Sequence, residues 1–77
     1  MAKNELKNVL LDMIDGLKSE IEEINEDIER LTYRAETTKN VKELSAISQE
    51  LEGLNEELRE NLKEMKALIK KYNKASK

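Results

Sequence analysis

The chain has 77 residues, 40% of them charged and 38% apolar, with a net charge of −3, which bounds it to one domain near the lower edge of what folds unaided. It contains no Cys and no His, which excludes disulfides, thiolate metal sites and the commonest general base. With two Tyr and no Phe or Trp, an aromatic globular core is excluded as well, and the Glu, Lys, Leu and Ile that dominate are the composition of coiled coils.

The first predicted helix covers about residues 3–35. From Leu10 its apolar residues step by four and three, placing Ile14, Ile21, Ile28 and Ala35 at heptad position a and Leu10, Leu17, Ile24 and Leu31 at d. The longest apolar run, Val9-Leu10-Leu11, is far too short for a membrane span or a signal-peptide core. The expectation is a cytoplasmic protein that does not engage membranes.

Apolar residues then vanish at Glu36-Thr37-Thr38-Lys39-Asn40, and a turn is expected at about 36–40. Asn40-Val41-Lys42-Glu43 reads as a capping box, with Asn40 accepting backbone N–H bonds and Glu43 reaching back.

The second helix is expected over about 41–73, followed by a frayed basic tail, 74–77. Leu44, Leu51, Leu58, Met65 and Tyr72 occupy a, and Ile47, Leu54, Asn61 and Leu68 occupy d. This stripe is two residues out of step with the first, which neither a stutter of four nor a stammer of three produces. One continuous rod is therefore disfavoured, and an antiparallel hairpin can be tested by pairing a with d. Residues whose numbers sum to 75 match Leu31 with Leu44, Ile28 with Ile47, Ile24 with Leu51, Ile21 with Leu54, Leu17 with Leu58, Ile14 with Asn61 and Leu10 with Met65. Asn61 is the one polar member, a register device unless Leu62 replaces it by a small rotation. Gly16 and Gly53 fall at outward c positions.

The flanks differ. At e stand the apolar Leu11, Val41, Leu62 and Ile69 and the uncharged Asn25, Thr32, Ser48 and Asn55, with Lys18 the exception; at g stand Glu20, Asp27, Glu43, Glu50, Glu57 and Glu64. In an antiparallel hairpin e faces e and g faces g, so the g flank sets like charges together and the e flank is open to a second layer. One stripe per helix rarely offsets an ordering cost of about 1.5 kcal/mol per residue. The fold expected is thus all-α, an antiparallel two-helix coiled-coil hairpin that dimerises into a four-helix bundle. Its oligomer interface is expected at Leu6, Val9, Leu11, Met13, Leu62, Ile69 and Tyr72.

Charge is segregated: residues 19–60 carry −8 and residues 61–77 carry +5. Lys63, Lys66, Lys70, Lys71 and Lys74 form a candidate polyanion contact, although Lys near a helix C-terminus also complements the helix dipole. No metal-ligand spacing, phosphate loop or nucleophile–base pair is present, so no catalytic residue, cofactor, metal or small-molecule substrate is expected.

Ser48-Gln49-Glu50-Leu51-Glu52, within Leu44–Leu54, resembles the SQELD segment of the Spo0E-like phosphatases. That resemblance implies a small helical hairpin acting on a phosphorylated response regulator. Glu52 stands where the family carries Asp, and Asn55 where it tends to be apolar. The principal reading is a non-enzymatic protein–protein interaction module, a homodimer that also binds another protein. A nucleic-acid-associated protein and a Spo0E-like phosphatase are the alternatives.

Overall fold

A computed structural model describes the backbone of residues 2–76 and the side chains of residues 5–75. The chain forms α1 (Ala2–Thr37) and α2 (Val41–Ser76), packed against each other as a hairpin. Each helix has 36 residues, about 54 Å at 1.5 Å rise per residue. The molecule measures 59 × 14 × 12 Å, one helix long and two wide.

The helices run further than their periodicity indicates. Glu36 and Thr37 are helical, so the turn is Thr38–Asn40 instead of 36–40. The β-branched Thr37 does not break α1, because its hydroxyl donates back to the Tyr33 carbonyl at 3.0 Å and the Arg34 carbonyl at 3.3 Å. The Thr38 N–H then closes on the Arg34 carbonyl at 3.0 Å. Residues 74–76 of the expected frayed tail continue α2, with Lys74 at its negative dipole end. Lys77 lies outside the described residues.

At the start of α2 the Asn40 side chain accepts from the Lys42 N–H at 3.0 Å and the Glu43 N–H at 3.3 Å, as an N-cap should. The reciprocal half of the box is not made. Glu43 instead accepts from the Thr38 hydroxyl and from Arg34 of α1, each at 3.1 Å, while the Asn40 N–H donates to the Thr38 hydroxyl at 3.3 Å. A carboxylate offered a guanidinium gains more than from one neutral N–H, so Glu43 joins the two helices rather than capping its own.

Across the seam, Arg34 meets Glu43 near the turn and Asn61 donates to Glu20 at 3.3 Å deep in the hairpin. The residue numbers of these pairs sum to 77 and 81. The second contact thus lies six residues, about 9 Å at 1.5 Å per residue, from level in the register where a and d numbers sum to 75, and the two contacts do not share that register. Asn61 keeps its place, half-buried, and Leu62 does not rotate in to replace it but stays 48% exposed. The hydrogen bond to Glu20 supplies the reason: it satisfies the amide at the edge of the seam.

Burial within the seam is lopsided. The buried core is Leu10, Ile24, Leu31, Ile47 and Leu68, all at d. The a residues Ile14, Ile21, Ile28, Leu51, Leu58 and Met65 are only half-buried, as are Leu17 and Leu54 at d, and Leu44 is exposed. The d rows lie next to g residues, mostly Glu, Asp and Arg, whose methylene stems are long enough to cover apolar surface. The a rows lie next to e residues, several of them as short as Asn25, Thr32, Ser48 and Asn55. Hollows occur on both sides: those on the g side are lined by both helices, and those on the e side by α2 alone.

Two stability changes follow from these local structures. Asn40→Ala removes the cap and lowers unfolding free energy by about 1 kcal/mol, read from the urea midpoint of helical circular dichroism; an unchanged midpoint would show the cap to be idle. Asn61→Leu extends the apolar seam opposite Ile14 at the loss of one solvent-exposed hydrogen bond, and is expected to raise stability by about 1 kcal/mol. A lowered midpoint would mean that the Asn61–Glu20 contact holds the register.

Candidate functional site

The exposed large apolar side chains cluster toward the end that carries both termini. Leu6, Val9, Leu11, Met13, Leu62 and Ile69 are all between 41% and 54% exposed, and Tyr72 is half-buried. Tyr33, Val41 and Leu44 are the exposed ones near the turn.

These residues do not form one face. Leu62 and Ile69 line a shallow hollow with Met65, Arg59, Lys63 and Lys66, and a second hollow with Asn55, Leu58 and Arg59 adjoins it at Leu62. This is the e side of α2, where the half-open a row and the exposed e residues merge. Met13 instead shares a hollow with Gly16, Leu17, Glu20, Glu64 and Leu68, on the g side. Leu6 lies with Leu10, Lys71, Lys74 and Ala75 at the terminal end. The heptad letters already separate them, since Leu6 and Met13 are g residues and Val9 is c.

On the g side a longer groove runs between the helices, lined by Asp27, Arg30 and Arg34 of α1 and Glu50, Gly53 and Glu57 of α2. Like charges face each other only over part of this flank. Asp27 shares the groove with Glu50 and Glu57, and Glu20 shares a hollow with Glu64, but Arg34 pairs with Glu43 at 3.1 Å. Arg30 adds a contact to Asp27, one turn away on its own helix. The signal for the Arg34 pair was present in the sequence: Arg34 occupies g, directly across from Glu43 in the same register. At Gly16 and Gly53 an added Cβ would meet nothing, so neither glycine serves a close approach.

The five lysines of the candidate polyanion contact are all exposed. Lys63 and Lys66 border the Leu62–Ile69 hollow, whereas Lys71 and Lys74 border the terminal one, so they do not share a single patch. In the Ser48–Glu52 segment, Leu51 is half-buried in the seam and the other four residues are exposed. Among the described residues, no His, Cys, Asp and Glu group could hold a metal ion, and no helix is long and apolar enough to cross a membrane. No described side chain is shielded below 2% exposure, so the grooves are surfaces rather than chambers that exclude water.

Fold and surface together define an all-α helical hairpin with a mostly charged groove on the g side and an apolar hollow on the e side of α2 around Leu62. No family model, curated protein or solved structure matches the chain.

The g flank carries a checkable consequence. Glu57→Lys puts an ammonium in place of a carboxylate in the groove that also holds Asp27 and is expected to raise stability by up to about 0.5 kcal/mol, the range of a surface ion pair. A fall in thermal midpoint would show that the two flank residues are not within reach of each other.

Proposed function

We propose that the chain is a non-enzymatic interaction module of the cytoplasm that self-associates through the open e side of its hairpin and presents its acidic outer face to another protein. The observation that supports this most directly is the rolled seam. All five core residues lie at d, while the a rows remain half-open and run into exposed Leu11, Leu62 and Ile69. Apolar surface in this arrangement is covered when a second layer of helices packs onto it, as in four-helix bundles. A thin core strengthens the case: two helices of 36 residues each are held by few buried side chains, and folding of small scaffolds commonly draws on association.

The acidic stretch of residues 19–60 is exposed along most of its charged positions and offers a surface complementary to a basic protein groove. Recovery of the tagged chain from its native host identifies that second partner.

Sedimentation equilibrium tests the self-association. At micromolar concentration the chain is expected as a dimer, with helicity that falls on dilution because folding and association are linked. Introducing Leu62→Glu together with Ile69→Glu is expected to weaken the dimer about a hundredfold, each apolar contact contributing on the order of 1.5 kcal/mol. A folded monomer at micromolar concentration, with helicity independent of dilution, refutes the proposal.

A further inference from the structure

The charge on α2 reverses about Leu62. Residues 50–61 carry Glu50, Glu52, Glu56, Glu57 and Glu60 against Arg59, a net of −4, and residues 63–74 carry Lys63, Lys66, Lys70, Lys71 and Lys74 against Glu64, a net of +4. Leu62 is itself 48% exposed at the junction of the two hollows on the open side, with Leu58 and Met65 half-buried and Ile69 exposed beside it. An apolar strip thus has its midpoint where the charge changes sign.

We propose that a second copy of this chain docks on this strip with the two α2 helices antiparallel and crossing at Leu62, an orientation that rests on the self-association reading above. A two-fold axis at Leu62 makes residues whose numbers sum to 124 level, so Leu58 of one copy lies within one residue of Met65 of the other. Glu56 lies within two residues of Lys66, and Glu52 within two of Lys70, an offset of about 3 Å at 1.5 Å per residue, and all four of these charged side chains are exposed along the same edge of α2. Each contact occurs twice by symmetry. A parallel pair would instead align the −4 segments with each other and the +4 segments with each other, which opposes association. The apolar strip alone permits either direction; the charge selects one. With α2 ending at Ser76, the two copies overlap from Ser48 onward, so both turns project outward and the acidic surface beside them, on α1 and the start of α2, stays free for another partner.

Charge exchange and a distance measurement test this together. The double variants E52K/E56K and K66E/K70E each place like charges across the axis. Each is expected to weaken the dimer about tenfold at low ionic strength, and an equimolar mixture of the two is expected to restore wild-type affinity. Wild-type affinity is expected to fall as salt is raised. The chain has no cysteine, so A46C accepts a single spin label on the exposed side of α2. Ala46 lies 16 residues before Leu62, which at 1.5 Å per residue puts the two labels about 48 Å apart along the rod in the antiparallel dimer. In a parallel dimer they would lie within about 25 Å, set by helix spacings of 8–10 Å. A wild-type chain that stays monomeric overturns both this arrangement and self-association. A dimer with a label distance near 25 Å, with unchanged affinity in the double variants, or with a mixture no tighter than its components overturns the antiparallel arrangement and leaves self-association standing.

Discussion

The structure depends on the burial of the d rows between the two helices. Leu10, Ile24 and Leu31 of α1 and Ile47 and Leu68 of α2 are the residues most completely removed from water. Their burial has two contributions, the opposing row and the g side chains that lie along it. A Glu or Arg at g brings two or three methylenes to the seam before its charge reaches solvent, so an ionic flank works here as an apolar cover. This explains how a chain with 40% charged residues keeps a core without Phe or Trp.

The same contact decides where the hairpin is unfinished. The a rows lie on the e side of the seam, and most of their residues are only half-buried. Thr32 and Ser48 occupy the e side near the turn together with exposed Val41, and Leu11, Leu62 and Ile69 occupy it near the termini. The surface is therefore graded along the rod. Near the turn it is mostly polar and acidic, with Tyr33 and Val41 exposed among the charges. Near the termini it is apolar with lysines at its edge, a combination found at the rim and centre of interfaces rather than on solvated faces. Direction along the rod and side of the seam together single out the stretch around Leu62.

Much of the fold was legible because heptad spacing and the two-residue phase slip are properties of the sequence alone. The pairing of a with d pointed to one register, but the Arg34–Glu43 and Asn61–Glu20 contacts, whose numbers sum to 77 and 81, do not share it. What could not be read was how far the seam rolls, because a helical wheel treats a and d alike and burial depends on the length of the flanking side chains. Helix ends were misjudged for a related reason. Thr37 has poor helix propensity, but its hydroxyl finds the Tyr33 and Arg34 carbonyls once α1 is formed. Glu43 likewise had two partners available, and only the folded chain brings Arg34 close enough to win. Of the candidate surface, exposure of the apolar residues follows from their positions, and their division between two sides follows from the heptad letters, g for Leu6 and Met13 and c for Val9.

The turn and the terminal end also differ in how their contacts are made. Arg34 and Glu43 are separated by 9 residues, as are few other pairs across the seam, whereas Glu20 and Asn61 are separated by 41. Loop-closure entropy rises with that separation, slowly but steadily, so pairing is easiest at the turn and each further layer builds on the one before it. The Asn40 cap, the Thr37 and Thr38 hydroxyls and the Arg34–Glu43 pair concentrate hydrogen bonds at this starting point, and no described residue there needs a left-handed backbone conformation. The terminal end has no comparable set of cross-helix polar contacts among the described residues and keeps the largest share of exposed apolar surface. Contacts that are last to form and least covered gain most from an added layer. Under the proposed self-association, the same residues would serve stability and recognition, with Leu62 at their centre.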